Sequence, residues 1–346
     1  MDTKQNEKAT NKPPRAKKRL RLVSYIILFT LAGAFVFTLI FTFFTPYPVS
    51  FVIRAAFEGG MAVEPDNYAE MRDKVTAQKE LVYPSVYNDN SLDLYTPKNV
   101  SGNSPVILWV HGGAFVGGDK SDIEIYATAL ASNGYAVACI NYERAPEEKY
   151  PAPLVQTREA YTWLKEKSAA YKLDVSRLVL AGDSAGAHIA AQFAAIQTNA
   201  AYAAETGIEQ VVSGGTLKAT LLFCGPYNVS KIAGGKRSPM RFLMNYAAWA
   251  YFGTSGWEKE FGAQATVANH ITADFPPSFI SDGNTASFED HARELAAALN
   301  TKGVPVETFF IPIEEEKAMH EYQFVMNTRP AIESFAKTLD FLEANV

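Results

Sequence analysis

Short apolar runs alternate with longer mixed segments along most of the chain. The runs after residue 75 have the length of strands buried in a sheet, and the segments between them have the length of helices. This alternation predicts a mainly parallel sheet with helices on both faces. The predicted strands are 75–85, 90–98, 105–110, 135–142, 177–182, 219–225, 276–283 and 306–312, and the predicted helices are 122–133, 152–170, 184–197, 287–302 and 329–344.

A longer apolar run precedes this pattern. Residues 22–44 contain no charged side chain, and as a helix with about 1.5 Å rise per residue they would be roughly 34 Å long, enough to cross a hydrocarbon core of about 30 Å. A buried core helix usually keeps one polar face. A cleaved signal peptide has a shorter apolar run and a small-residue cleavage site, and no such site follows before Pro46 and Pro48. We therefore expect a single-pass transmembrane signal anchor.

The charge is divided unevenly along the chain. The total is 32 Lys and Arg against 37 Asp and Glu, but the residues before Leu22 carry +6 and the remainder carries −11. Basic residues flanking a membrane helix remain in the cytoplasm, so we expect a cytoplasmic N-terminus and an extracytoplasmic body at the cell membrane. The acidic body lacks the clustered Lys and Arg that nucleic acids require, and no nucleic-acid partner is expected.

These features divide the chain into four parts. We expect residues 1–21 to form a basic cytoplasmic tail, 22–44 the anchor, 45–74 a juxtamembrane segment, and 75–346 a single α/β domain. The two cysteines, Cys139 and Cys224, cannot make a disulfide framework, and no Cys/His spacing is typical of a metal site, so no metal is expected.

A nucleophile motif lies at the junction of a predicted strand and a predicted helix. Residues 182–186 read Gly-Asp-Ser-Ala-Gly, which fits the G-x-S-x-G nucleophile elbow of α/β-hydrolases. Small neighbours permit the tight turn that exposes the serine, and the helix N-terminus stabilises negative charge beside it. The motif predicts Ser184 as the nucleophile and assigns Asp183 a structural role.

A second motif, His-Gly-Gly-Ala-Phe at 111–115, directly follows the strand 105–110. It matches the HGGG-type loop whose backbone amides bind an oxyanion together with the residue after the nucleophile, although Ala114 replaces the third glycine. We expect Gly112, Gly113, Ala114 and Ala185 to form the oxyanion hole.

Together with residues 141–156, NYERAPEEKYPAPLVQ, these two motifs resemble the hormone-sensitive-lipase-type carboxylesterases of the α/β-hydrolase superfamily. The order and spacing agree over about 105–193. The resemblance implies a Ser-Asp-His hydrolase with a small cap, no cofactor, and a small-molecule or lipid ester as substrate, with a short- to medium-chain acyl group. Residues 45–74 and the aromatic and methionine-rich stretch 236–252 are candidates for the cap or the acyl-binding wall, although a plain packed helix also fits the second.

The α/β-hydrolase order places the catalytic histidine on the loop after the last strand. His320 occupies that loop, and its HEYQF context resembles the family's H-G-F. The other four histidines lie elsewhere: His111 in the oxyanion loop, His188 in the helix after Ser184, His270 before the penultimate strand and His291 in the helix after that strand.

The acid is less clearly marked. The position where the family's Asp is expected holds Ala286, and the nearby carboxylates are Asp282, Glu289 and Asp290. Asp282 is preferred because it ends a predicted strand, whereas the other two fall in a first helical turn, where acids pair with the helix dipole. A triad that is weakened or completed in another way stays open.

These residues predict hydrolysis of carboxylic esters through an acyl-enzyme. Two alternatives remain: an acetyl esterase or peptidase that acts on cell-surface material, and a catalytically silent, membrane-tethered binding domain.

Overall fold

The computed structural model describes residues 15–57, 60–232 and 238–346, so the part of the expected tail before Arg15 lies outside it. The chain divides into two compact units, Met1–Pro48 and Val49–Val346. The first contains helix α1, Arg15–Thr42, whose segment Arg19–Thr42 is long and apolar enough to cross a membrane. A helix of this kind near an N-terminus is either a membrane span or a signal sequence.

The second unit is built on an eight-stranded sheet with the order β1-β2-β4-β3-β5-β6-β7-β8. The strand β2 is antiparallel to both of its neighbours, and all the remaining pairs are parallel, so the predicted mainly parallel sheet is confirmed. The strands are β1 Val75–Val82, β2 Ser91–Pro97, β3 Ser104–Val110, β4 Ala136–Ile140, β5 Leu173–Asp183, β6 Leu217–Phe223, β7 Ser278–Asp282 and β8 Val306–Phe310.

Within the described residues, eleven further α-helices accompany the sheet. All five helices predicted from the sequence are present, and the structure adds six. The helices are α2 Tyr47–Phe57, α3 Tyr68–Asp73, α4 Glu124–Ser132, α5 Ala152–Tyr171, α6 Ser184–Thr198, α7 Ala200–Thr206, α8 Val229–Ile232, α9 Pro239–Phe252, α10 Trp257–Ala265, α11 Glu289–Thr301 and α12 Arg329–Asn345.

Alternate side chains of the central strands enter two separate cores. In β3, Val106 and Leu108 pack with residues of α5 and α6 on one face. Ile107 and Trp109 pack with residues of α4 and α12 on the other face. Because both faces are covered, the strand is apolar along its length, which is why it reads as a continuous hydrophobic run in the sequence.

The carboxyl ends of three parallel strands place the functional loops at one edge of the sheet. The strands β3, β5 and β7 end at Val110, Asp183 and Asp282, next to the oxyanion loop, the nucleophile and the candidate acid. Residues far apart in the chain therefore meet above this edge, as is typical of open α/β sheets.

Candidate active site

Ser184 lies on a strained turn between β5 and α6. Its φ of 49° is in the left-handed region, which residues other than glycine rarely adopt. The helix packs so closely on the sheet that a Cβ on Gly186 would overlap the carbonyl oxygen of Val110. The small residues of the motif thus serve the tight turn that the sequence predicts for a nucleophile elbow.

The imidazole of His320 contacts the nucleophile. Ser184 Oγ lies 2.9 Å from His320 Nε2, and the histidine is carried by the loop between β8 and α12. Burial lowers the pKa of His320 to about 4, so the ring is neutral at neutral pH. A neutral ring with Nε2 beside the hydroxyl can accept its proton.

The other ring nitrogen contacts a serine rather than a carboxylate. His320 Nδ1 lies 2.8 Å from Ser287 Oγ, and this hydroxyl donates a hydrogen bond to Asp282 Oδ1. Asp282 is fully buried at the end of β7, and burial raises its pKa to about 7. The preferred acid therefore faces His320 with one hydroxyl between them. Sequence reasoning missed Ser287, although it adjoins Ala286, where the acid was expected.

The two alternative acids point elsewhere. Glu289 forms an ion pair with Arg293, at 2.6 Å between Oε1 and Nη2. Asp290 keeps 70% of its side chain exposed and lies 3.9 Å from Lys231 Nζ. Both lie in the first turn of α11, where carboxylates complement the helix dipole.

The oxyanion loop requires one correction to the predicted donor set. The amide of Gly112 donates to Asp183 Oδ2 at 2.8 Å, so it is not available to a substrate oxygen. The remaining predicted donors are the amides of Gly113, Ala114 and Ala185, and the last two residues line the same cavity as Ser184 and His320. Asp183 fixes the 111–115 loop by accepting this hydrogen bond, which fits the structural role expected for it.

A second carboxyl group lies beside Asp183. Glu321 is buried, and its Oε1 lies 3.7 Å from His320 Nε2. Burial and the proximity of Asp183 raise the pKa of Glu321 well above its ordinary value, and burial also raises the pKa of Asp183. Each carboxyl group disfavours ionisation of the other, because two negative charges are costly in a buried site. No pattern in the sequence marked Glu321, because acids next to a histidine are usually solvated.

An apolar cavity of about 190 Å³ opens beside the nucleophile. Four residues of α9 line it, together with Ile232 of α8, Phe115 of the oxyanion loop and Phe288 of the β7–α11 loop. The 236–252 stretch therefore contributes residues to the cavity beside Ser184, although residues 236 and 237 lie outside the described part of the chain. Among described residues, none of the 45–74 segment lines this cavity. The α9 residues are Met240, Met244, Ala247 and Ala248.

The four other histidines have surroundings of their own. His111 stacks on Tyr142, and the rings of His188 and Phe115 meet edge to face. His270 stacks on Tyr202, and His291 Nδ1 accepts a hydrogen bond from the backbone amide of Asn228.

One cluster of possible metal ligands was found among the described residues. Ligand atoms of Cys224, Asp282 and His320 lie within 4.8 Å of one another. Burial raises the pKa of the Cys224 thiol well above its ordinary value, and both nitrogens of the His320 ring face hydroxyl groups. A metal ion prefers a thiolate and a free ring nitrogen, so the donor set does not fit one.

Comparison with known proteins identifies the family of the chain. Residues 92–294 match the family model described as BD-FAE. The chain belongs to the BD-FAE family. The matched segment runs from β2 into α11 and includes the 111–115 loop, Ser184 and Asp282. Together with the esterase relatives below, this match supports a hormone-sensitive-lipase-type carboxylesterase of the α/β-hydrolase superfamily.

Individual relatives of this family member are esterases. The esterase LipQ of Mycobacterium tuberculosis is 24% identical over 86% of this chain and 69% of its own length. A probable isoprenylcysteine alpha-carbonyl methylesterase of Oryza sativa is 33% identical over 44% of this chain, and that match spans 37% of the relative. Esterase B of Lactobacillus Rhamnosis has the same fold, with a TM-score of 0.71 and 20% identity over 95% of this chain and 96% of its own.

Proposed function

We propose that this protein hydrolyses carboxylic esters through an acyl-enzyme, with Ser184 as nucleophile, His320 as general base and Asp282 as the acid of the triad. The observation that carries the proposal is the 2.9 Å contact between Ser184 Oγ and His320 Nε2 at the mouth of an apolar cavity. A serine beside a neutral imidazole and a helix N-terminus is an activated nucleophile.

The reaction follows from the positions of these groups. His320 Nε2 takes the proton of Ser184 as Oγ attacks the ester carbonyl, and the amides of Gly113, Ala114 and Ala185 bind the oxyanion. The same nitrogen then returns the proton to the departing alcohol. Water, deprotonated by His320, attacks the acyl-enzyme and releases the acid and Ser184.

The cavity supports a short- to medium-chain acyl group. Its volume is about 190 Å³ and its walls are almost entirely apolar, so chain length is limited by space rather than by polarity. Esterase B of similar fold was solved with a C4-C4 SN3 tributyrin phosphonate, which is a short-chain ligand in that protein.

We further propose the four-part organisation expected from the sequence. The segment 22–44 anchors the protein in the cell membrane, and the tail 1–21 lies in the cytoplasm. Residues 45–74 connect the anchor to the catalytic domain 75–346, which lies outside the cytoplasm. The helix Arg19–Thr42 and the +6 charge before Leu22 support this arrangement.

The first test is active-site labelling with a fluorophosphonate, combined with hydrolysis of p-nitrophenyl esters. The wild-type protein is expected to label and turn over, whereas Ser184→Ala should do neither, since its loss removes the nucleophile. Ser132→Ala serves as a matched control, because that hydroxyl bonds only locally to Ala129 and Asn133. A folded wild-type protein that neither labels nor hydrolyses esters would identify a silent binding domain and overturn the proposal. Faster turnover of aminoacyl amides than of esters would identify a peptidase.

A further inference from the structure

The hydrogen bonds on the far side of His320 form a continuous chain. For Nε2 to accept the proton of Ser184, the ring hydrogen must sit on Nδ1. Nδ1 then donates to Ser287 Oγ at 2.8 Å, and the hydroxyl can pass only its own hydrogen onward, to Asp282 Oδ1. Every group in this chain thus has one consistent direction of donation.

The two loops that carry the chain are fastened to each other. The Asn284 side-chain amide donates to the carbonyls of Ile311 and Glu316 at 3.0 and 2.8 Å, and its oxygen accepts from the Ala318 amide at 3.0 Å. Thr285 donates its backbone amide to the Ala318 carbonyl at 3.0 Å. These bonds hold the 283–288 loop in register with the loop before His320, so Ser287 stays within reach of the ring.

Asp282 is well placed to accept from the serine. It is fully buried, and the amides of Gly283 and Phe288 also face its carboxylate. The ring of Phe288 stands edge-on to the His320 ring, with centroids 5.5 Å apart. Ser287 is half-buried, and the orientation of its hydroxyl is set by its two partners, Asp282 and His320.

We propose that Ser287 is a positioning residue that couples Asp282 to His320, so that the protein works through a Ser-His-Ser-Asp relay. The hydroxyl holds the Nδ1–H tautomer, and it transmits the stabilisation of the imidazolium by the carboxylate when Ser184 is deprotonated. No bond to Ser287 is made or broken in the reaction. This inference rests on the proposed esterase function. It explains how Asp282 can act on His320 although position 286, where the acid was expected, holds an alanine.

The test is a double-mutant cycle between Ser287→Ala and Asp282→Asn, read out as kcat and KM on p-nitrophenyl butyrate. Each single variant is expected to lose about 10² to 10⁴ in kcat with KM within about threefold, as for loss of a triad acid. Because both changes break the same hydrogen-bond chain, kcat of the double variant should be no more than about threefold below kcat of the less active single variant. Ser287→Thr, which keeps a hydroxyl, should recover most of the kcat lost in Ser287→Ala.

Several results would overturn the relay. Ser287→Ala with kcat within about threefold of wild type would show that the hydroxyl is dispensable. A double variant that loses the product of the two single losses would show that Asp282 acts independently of Ser287. Thermal unfolding of each variant identifies any loss caused by misfolding, in which case Ser287→Thr alone decides the role of the hydroxyl. An inactive wild-type protein would instead refute the esterase function, so the two failures are distinguishable.

Discussion

At the scale of single residues, His320 has different neighbours on its two sides. Its Nδ1 side meets Ser287 and, beyond it, the buried Asp282. On its Nε2 side lie Ser184 and the carboxyl group of Glu321, at 2.9 and 3.7 Å. Glu321 in turn faces Asp183, whose carboxylate accepts hydrogen bonds from the amide of Gly112 and the indole of Trp109. Asp183 therefore ties the 111–115 loop to the end of β5, beside Ser184.

The pair of carboxyl groups, Asp183 and Glu321, predicts how stability depends on pH. The pKa of Glu321 is raised in the folded state, so the unfolded chain releases its proton at a lower pH. The free energy of unfolding therefore falls as pH rises above about 5, by at most about 1.4 kcal/mol per pH unit from this group. Glu321→Gln keeps a hydrogen-bond donor for Asp183 and removes the titrating carboxyl group. The variant should therefore lose less stability than the wild type as pH rises. Urea unfolding at about pH 5 and about pH 8 measures the difference. Equal losses in wild type and variant would mean that Glu321 is ionised in the folded protein.

At the scale of elements, the helix α9 forms one wall of the cavity proposed to hold the acyl chain. Met240, Met244, Ala247 and Ala248 face the cavity, and the helix begins at Pro239 with a Ser238 cap that accepts from the Arg241 amide. Its far end packs under the oxyanion loop, where Tyr251 stacks on Phe115 at 4.1 Å. One helix thus lines the cavity beside Ser184 and packs against the proposed oxyanion loop.

Enlarging a small residue of this wall should shorten the preferred acyl chain. Ala247 is buried and lines the cavity, so Ala247→Leu fills space that a long acyl chain needs. We expect kcat/KM for octanoyl esters to fall by about tenfold or more and that for acetyl esters to change by less than about threefold, because each excluded methylene costs 1–3 kcal/mol of binding. The measurement is a series of p-nitrophenyl esters. Ala297→Leu on the exposed face of α11 is the matched control, and an equal fall for every chain length would contradict the assignment.

At the scale of the whole molecule, the chain has a hydrophobic first unit and a catalytic second unit. The helix α2 is bound to the catalytic body through Arg54, which pairs with Glu147 at 2.6 Å and donates to the carbonyls of Val116 and Ala145. A boundary at Thr45 therefore separates the apolar helix from the catalytic unit without removing these contacts.

Deletion of residues 1–44 should release an active enzyme. We expect the shortened protein in the soluble fraction with kcat on p-nitrophenyl butyrate within about twofold of the full chain, because the catalytic unit keeps its own core. Deletion of 1–14 alone is the matched control, and this variant should stay with the membranes, since the apolar helix is intact. A 1–44 deletion that still sediments with membranes would place the anchor elsewhere, and a cleaved signal would leave both deletions soluble.

Much of the fold and part of the candidate site can be predicted from the sequence alone. Contiguous residues determine the strand–helix alternation, the turn at Ser184 and the 111–115 loop. Their hydrophobic pattern and motif spacing can therefore be recognised in the sequence. His320 follows from the order of the elements, because the last strand must deliver its loop to the same sheet edge.

Only the tertiary structure decided the hydrogen-bond partners. Ser287 and His320 are 33 residues apart, and the amide of Gly112 meets a carboxylate 71 residues away. Whether Asp282 contacts the imidazole directly or through a hydroxyl depends on how the loops after β7 and β8 pack. That packing fixes the positions of the side-chain atoms. Motif spacing carries no information on that scale, since hydrogen bonds require distances of about 3 Å between groups that only folding brings together.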